Sequence, residues 1–226
     1  MAILIHDDVI QGTDEWLDLR RGILTASEMK KIITPKKLAM SSGAISHIHE
    51  LAAQRISGYT EPAYISDDMM RGSIDEEYAR KAYEEHKGIS VDTCGFITND
   101  NFGFTIGYSP DGLVGEYGLI EIKSRRQKYQ IETVLSGGVP EEYMLQIQTG
   151  LIVSGRKWCD FISFSGGLPL YVFRVYQDVE IRDAIIQVAK EFNGLLNNAI
   201  SEFGRKSEGM PKTERVIYEK EEEITC

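Results

Sequence analysis

Hydrophobic and polar positions change rhythm twice along this chain. The segment Thr13 to Arg21 (TDEWLDLRR) reads as a short helix closed by Gly22, and Thr25-Ala-Ser-Glu28 opens a second with capping-box spacing, Thr25 at the N-cap and Glu28 at N3. Further helices are predicted around Ala44 to Gly58 and from about Asp67 to His86, where Ile74, Tyr78 and Ala82 recur at four-residue spacing. From Ile89 the runs become short and β-branched or aromatic. Val91 to Ile97, Phe102 to Tyr108 and Leu119 to Lys123, punctuated by Asn, Gly and Pro, predict three consecutive strands. A helix follows from Pro140 to about Ser154 with Gly155 at its end and Tyr143, Met144, Ile147 and Leu151 as its apolar stripe. Two strands, Trp158 to Phe164 and Leu170 to Tyr176, flank a Gly-Gly-Leu-Pro turn, and a long amphipathic helix runs from about Ile181 to Phe203. There is no internal repeat or linker.

Composition narrows this to one α/β domain. The 226 residues are 42% hydrophobic and 27% charged, near globular averages, which excludes disordered and low-complexity classes. One domain over residues 1–213 is expected, with an acidic tail over 214–226 that carries five acidic and two basic residues. No apolar run approaches the ~18 residues of a membrane span. The start lacks a basic head and a small-residue cleavage site, so a cytoplasmic protein is expected. Cys94, Cys159 and Cys226 form no CxxC pair and read as reduced thiols. A net charge of −10 weighs against a nucleic-acid partner unless basic residues cluster. They do: Leu119 to Gln130 holds Lys123, Arg125, Arg126 and Lys128 against Glu121 alone, and Lys30, Lys31, Lys36 and Lys37 form a second patch. Trp16 and Trp158 are expected in the core. His47-x-His49 has neither helical-face pairing nor a nearby cysteine and is not read as a zinc site.

The stretch richest in chemistry is Tyr108-Ser-Pro-Asp111-Gly followed by Glu121-Ile-Lys123. On a strand, side chains two apart share a face, so Glu121 and Lys123 project together while Ile120 and Ile122 face the core. The turn at Pro110 and Gly112 brings Asp111 beside them. Two carboxylates suit a hard cation such as Mg²⁺, and an ammonium beside them can act on an attacking water and a phosphate. The pattern fits metal-assisted phosphodiester hydrolysis. Glu76 on the upstream helix and Gln146 and Gln148 on the downstream one are further polar candidates. Thr25 and Ser27, at the first turn of a helix, and Arg20, ending the one before, form a candidate anion site.

Together these segments resemble the lambda-type phage exonucleases, YqaJ-like viral recombinases within the PD-(D/E)xK nuclease superfamily. The resemblance runs from about Gln11 to Phe164 and rests on Trp16-Leu-Asp-Leu-Arg20-Arg-Gly22-Ile-Leu-Thr25-Ala-Ser27, Gly72-x-x-x-Glu76-x-x-Ala79, Ser109-Pro-Asp111-Gly, Glu121-Ile-Lys123 and Tyr143-Met-x-Gln146-x-Gln148. One departure is Ser124-Arg-Arg-Gln-Lys128 where the family commonly has Cys-Pro. The resemblance implies a PD-(D/E)xK-type mixed central sheet flanked by helices. It implies a 5′-to-3′ exonuclease on double-stranded DNA that uses Mg²⁺, with Mn²⁺ as a substitute, and leaves a 3′ single strand for annealing. In those terms Asp111, Glu121 and the Ile122 carbonyl bind the metal, Lys123 is the catalytic lysine, and Glu76 and Gln148 assist. Arg20, Thr25, Ser27 and Ser109 hold a 5′ phosphate, while Arg125, Arg126, Lys128, Gln146 and Tyr143 contact DNA. The implied partners are DNA ends, a single-strand annealing protein and two further copies in a trimeric ring, in the cytoplasm of a bacterial host. The competing readings are a structure- or site-specific endonuclease and a non-catalytic DNA-end-binding protein.

Overall fold

The computed structural model describes residues 2–62 and 66–216. Two mixed four-stranded sheets meet at the Ser109-Pro-Asp111 segment. In the first, β1 (Ile3–His6), β5 (Phe96–Asn99), β6 (Ile106–Tyr108) and β2 (Leu24–Thr25) lie in the order β1-β5-β6-β2, with β2 parallel to β6. In the second, β7 (Gly112–Val114), β8 (Gly118–Ser124), β9 (Trp158–Phe164) and β10 (Tyr171–Tyr176) lie in the order β10-β9-β8-β7. A small antiparallel pair, β3 (Ile33–Thr34) and β4 (Ala39–Met40), completes the strands.

β8 runs parallel to β9, so the chain must cross over between them. It does so through α5 (Gln127–Ser136) and α6 (Glu141–Ser154). The remaining helices are α1 (Asp14–Arg20), α2 (Met29–Ile32, entered through a 3-10 turn at Ala26–Glu28), α3 (Ala44–Ser57), α4 (Asp67–Lys87) and α7 (Val179–Lys206). Thr13, Ser66 and Asp178 cap α1, α4 and α7 with side-chain oxygens, the residue types that satisfy free N–H groups at a helix start. No helix among the described residues is long and apolar enough to cross a membrane.

Alternation along β8 splits the core. Leu119 joins the main cluster with Phe161, Leu145, Leu151 and Phe192, whereas Ile120 and Ile122 pack with Ala79, Tyr83 and Ile162 beneath α4. Both faces of β8 are therefore covered, and Glu121 points to the face that carries α6. Nearly every side of α6 is buried. The helix can lie close to β6 because residue 150 is glycine; a Cβ there would sit 2.8 Å from the Tyr108 ring.

Several expectations shift. The strand predicted over Val91 to Ile97 begins only at Phe96, and the run before it contributes a single bridge, Asp92 to Leu113. The strand predicted from Phe102 starts at Ile106 because residues 101–103 turn. α4 forms as expected, but Ile74 and Tyr78 are exposed and the buried face carries Ala79 and Tyr83. The edge strand β1 and the helix α5 were not anticipated. Cys94 and Cys159 are free and buried. Of the expected acidic tail, residues 214–216 are exposed; 217–226, with Cys226, lie outside the described residues.

Candidate active site

The β7–β8 hairpin sets Gly112 opposite Ile120, which delivers Asp111, one residue before β7, to the side of Glu121. Asp111 Oδ2 accepts the backbone N–H of Ile122 at 2.6 Å, so the strand itself orients that carboxylate. Glu121 is wholly buried yet fully engaged. Its Oε1 accepts from Lys123 Nζ at 2.6 Å and from Gln146 Nε2 at 2.5 Å, and its Oε2 accepts from the Tyr108 hydroxyl at 2.9 Å. From α4, Arg80 donates to Glu76 Oε1 at 2.5 Å and to the Asp111 carbonyl at 3.2 Å, holding that helix against the motif.

Three carboxylates thus face two cations in a poorly solvated place. Burial, and then the neighbouring Glu121 charge, hold Asp111 well above the usual carboxylate range. Burial also raises Glu76 against the opposing effect of Arg80. Burial opposes the charge of Lys123, but Glu121 and Asp111 outweigh it and keep the ammonium above its ordinary range. Tyr108 is pushed well up by burial and then by Glu121, so its hydroxyl stays a neutral donor. The uncompensated negative charge and the all-oxygen donor set fit a hard divalent cation.

A cavity of about 160 Å³ adjoins this centre and shares its wall: Tyr108 and Gln146, both bonded to Glu121, also line the cavity. Arg20 reaches into it from the end of α1. Its guanidinium stacks 4.3 Å from the Trp16 ring centroid and donates to Ser109 Oγ at 3.0 Å and to Thr25 Oγ1 at 3.4 Å. The structure therefore brings together Arg20, Thr25, Ser27 and Ser109, as expected. The helix they open is only the 3-10 turn and one further turn, so the side chains rather than a long helix dipole shape the cavity. Thr25 is 2% exposed and gives both its hydroxyl and its N–H to Glu28, at 2.8 and 3.2 Å. Against the cost of burial, His47, Thr25 and Lys31 bring Glu28 down to about 2.

Glu28, His47 and Glu50 are metal-ligand types with donor atoms within 4.8 Å of one another. Lys31 Nζ already fills the gap, 3.5 Å from Glu28, 3.2 Å from Glu50 and 3.5 Å from His47 Nδ1. The cluster is a closed ion-pair network that buttresses Thr25.

Other expected residues are placed differently. Gln148 does not reach the carboxylates: it donates to the Tyr176 carbonyl and accepts from the Asp178 N–H, each at 2.9 Å, tying α6 to the start of α7. The amide at the centre is Gln146. In the basic run, Arg125 pairs with Glu142 and the Tyr143 hydroxyl, Arg126 with Asp68, and Lys128 with Glu132 at 3.8 Å. Each cation lies against a carboxylate. Lys30, Lys36 and Lys37 are exposed. Trp16, expected in the core, is part of the cavity wall, and its indole N–H bonds Ser109 Oγ at 2.9 Å. Tyr108, at the head of the informative stretch, was given no role, and Arg80 was missed altogether. Tyr108 directly precedes the Ser-Pro-Asp segment, and Trp16 stands four residues before Arg20 on one helix face, spacings that could have flagged both.

A buried carboxylate pair and a lysine on one sheet, walled off from a cationic pocket by two shared side chains, is the centre of an α/β nuclease. The family model described as the YqaJ-like viral recombinase domain matches residues 15–157, and the chain belongs to that family. Among solved structures it is similar to an alkaline exonuclease (LHK-Exo) from Laribacter hongkongensis, with 32% identity and a TM-score of 0.79 over 88% of this chain and 100% of the other. The same values hold for that protein in complex with dAMP. A phage-related exonuclease from Haemophilus somnus 129PT shares the fold at 16% identity, with a TM-score of 0.56 over 80% of this chain and 96% of its own. Among curated proteins the search finds no match.

Proposed function

We propose that this nuclease degrades one strand of linear double-stranded DNA from a 5′-phosphorylated end, in the 5′-to-3′ direction and with Mg²⁺, releasing mononucleotides and leaving a 3′ single strand for annealing. The observation that carries the proposal is the shared wall. A strand whose terminal phosphate rests against Arg20, Ser27 and Ser109 presents its next phosphate across Tyr108 and Gln146 to the carboxylates. Asp111, Glu121 and the strand backbone at Ile122 would hold the cation, which supplies Lewis-acid polarisation of the phosphate and a more acidic water. Mn²⁺ would serve in its place. Gln146 and Tyr108 keep Glu121 oriented, and Glu76 adds negative charge from the helix side. Lys123, kept as an ammonium, would donate hydrogen bonds that orient the attacking water and offset the charge of the scissile phosphate, while the proton that the water loses passes to solvent. Arg125, Arg126, Lys128 and Tyr143 are proposed duplex contacts, with DNA phosphates displacing Glu142, Asp68 and Glu132 from them.

The protein would act in a bacterial cytoplasm, beside a single-strand annealing protein. A three-fold ring would enclose the duplex and offset the net charge of −10. Residues 1–213 would form its one domain. Digestion of linear duplexes carrying a 5′ phosphate or a 5′ hydroxyl, with and without Mg²⁺, tests the reading. Mononucleotide release that needs Mg²⁺ and favours the phosphorylated end supports it. Cutting of supercoiled plasmid would point to an endonuclease instead, and binding without nucleotide release to an end-binding protein.

A further inference from the structure

We infer that Trp16 is a positioning residue of the cavity: its indole N–H, together with Arg20, commits the Ser109 hydroxyl to donating its proton to an incoming phosphate oxygen. The inference rests on the cavity holding a terminal phosphate.

A serine hydroxyl has one proton and two acceptor positions. Ser109 Oγ receives the Trp16 indole N–H at 2.9 Å and Arg20 Nη1 at 3.0 Å, which fills both. Among the described residues its proton has no acceptor, and the group borders the cavity. Thr25 is wired the other way. Its hydroxyl proton goes to Glu28 Oε2 at 2.8 Å, so toward the cavity it can only accept, from Arg20 Nη2 at 3.4 Å or Ser27 Oγ at 3.3 Å. The side-chain donors left for a ligand are therefore Arg20, Ser109, Ser27 and the second amide N–H of Gln146, which also lines the cavity, and Thr25 drops out of the expected set.

That arrangement favours a phosphate monoester, which only accepts, over a terminal hydroxyl, which brings a proton of its own. Trp16 is held in place independently of any ligand, because the same N–H also reaches the Gly95 carbonyl at 3.1 Å and the ring carries the Arg20 guanidinium on its face. One side chain thus orients two of these donors, Arg20 and Ser109. Phenylalanine at this position would keep the stacking and remove the N–H, freeing Ser109 to accept as readily as to donate.

The test measures equilibrium binding of 5′-phosphorylated and 5′-hydroxyl hairpin duplexes in EDTA, by fluorescence anisotropy, for the wild type, Trp16→Phe, Ser109→Ala and the double variant. The wild type should prefer the phosphorylated end. Trp16→Phe should cut that preference about tenfold, and the double variant should match Ser109→Ala, since Trp16 acts through Ser109. Fully additive losses, or an unchanged preference in Trp16→Phe, would overturn the role of Trp16. A wild type that binds both ends equally would instead overturn the phosphate reading of the cavity. Should Trp16→Phe fail to fold, Trp158→Phe leaves Trp16 as the sole indole. Its emission should then shift on binding the phosphorylated hairpin and stay unshifted once Ser109→Ala is added; a shift that survives Ser109→Ala refutes the coupling.

Discussion

The carboxylate centre and the cationic cavity share Tyr108 and Gln146, yet they are built on opposite economies of hydrogen bonding. At Glu121 both oxygens are taken by Lys123, Gln146 and Tyr108, and the negative charge is enclosed at a cost that a cation must relieve. In the cavity the donors outnumber their partners: Arg20 is held by stacking and by two hydroxyl oxygens, and Ser109 keeps a proton to give. One side is short of positive charge and the other short of an anion. On the proposed reading a DNA end with its metal would satisfy both at once, so the two sites should respond to different losses.

The sharpest division comes from the carboxylate side. Glu121→Gln should lower nucleotide release by about a thousandfold or more while Mn²⁺ binding, followed by calorimetry, disappears, because a ligand is lost from both substrate and water activation. Retained Mn²⁺ binding would move the metal elsewhere. Lys123→Ala should cost about a hundredfold in single-turnover cleavage, in the range of a positioned proton donor, with duplex binding changed little. An equal loss in binding would make Lys123 a phosphate contact rather than a participant in the chemical step.

On the cavity side the losses should be smaller and of another kind. Arg20→Ala should erase a preference of about ten- to a hundredfold for phosphorylated ends, in keeping with one charge-assisted contact, while cleavage of 5′-hydroxyl ends continues. If that variant loses activity on both kinds of end equally, the two sites are not separable. Tyr108→Phe tests the wall itself. Removing one of three donors to Glu121 should reduce cleavage about tenfold and raise the Mg²⁺ concentration needed, since the buried oxygen is left without its partner. End preference should hold, because the ring that lines the cavity remains.

The two regions also differ in how far they can be read from residue order. The carboxylate centre is local: strand period two puts Glu121 and Lys123 on one face, and the Pro-Asp-Gly turn places Asp111 next to them. Helical partners are harder. Gln146 and Gln148 stand two apart on α6, about 200° around the axis, and nothing in the spacing says which faces the sheet. The same ambiguity misassigned α4, where the four-residue recurrence of Ile74 and Tyr78 marks the solvent side while Glu76 and Ala79 turn inward. The helix α5 escaped because its apolar residues do not mark a buried face: Ile131 is 51% and Leu135 80% exposed. The cavity draws Trp16 and Arg20 from α1 but Ser27 and Ser109 from two other segments, so periodicity could pair the first two and not assemble the whole. The helix ends alone suggested Arg20, Thr25 and Ser27, the resemblance to known nucleases added Ser109, and Trp16 was in the matched motif but read as a core residue.

The smallest expected effect concerns stability, and it has the opposite sign from the loss of activity. Asp111 sits above its ordinary range through burial and the charge of Glu121, so in the metal-free protein it binds a proton that the unfolded chain releases. Between the ordinary aspartate value of about 4 and the raised one, the folded state holds more protons than the unfolded state, and stability falls as pH rises. Glu28 behaves in reverse. With its pKa lowered to about 2, it stabilises the fold above the ordinary glutamate value, and that contribution is lost only as pH falls toward 2. Above the ordinary glutamate value the Glu28 contribution is therefore constant, and the fall comes from Asp111 together with Glu76, which burial also raises. Asp111→Asn keeps an oxygen for the Ile122 N–H and removes the ionisable group, so melting in EDTA should show a shallower loss of stability than the wild type as pH rises above about 5. A variant that melts with the wild-type slope would mean that Asp111 is already relieved of its burial cost without a metal.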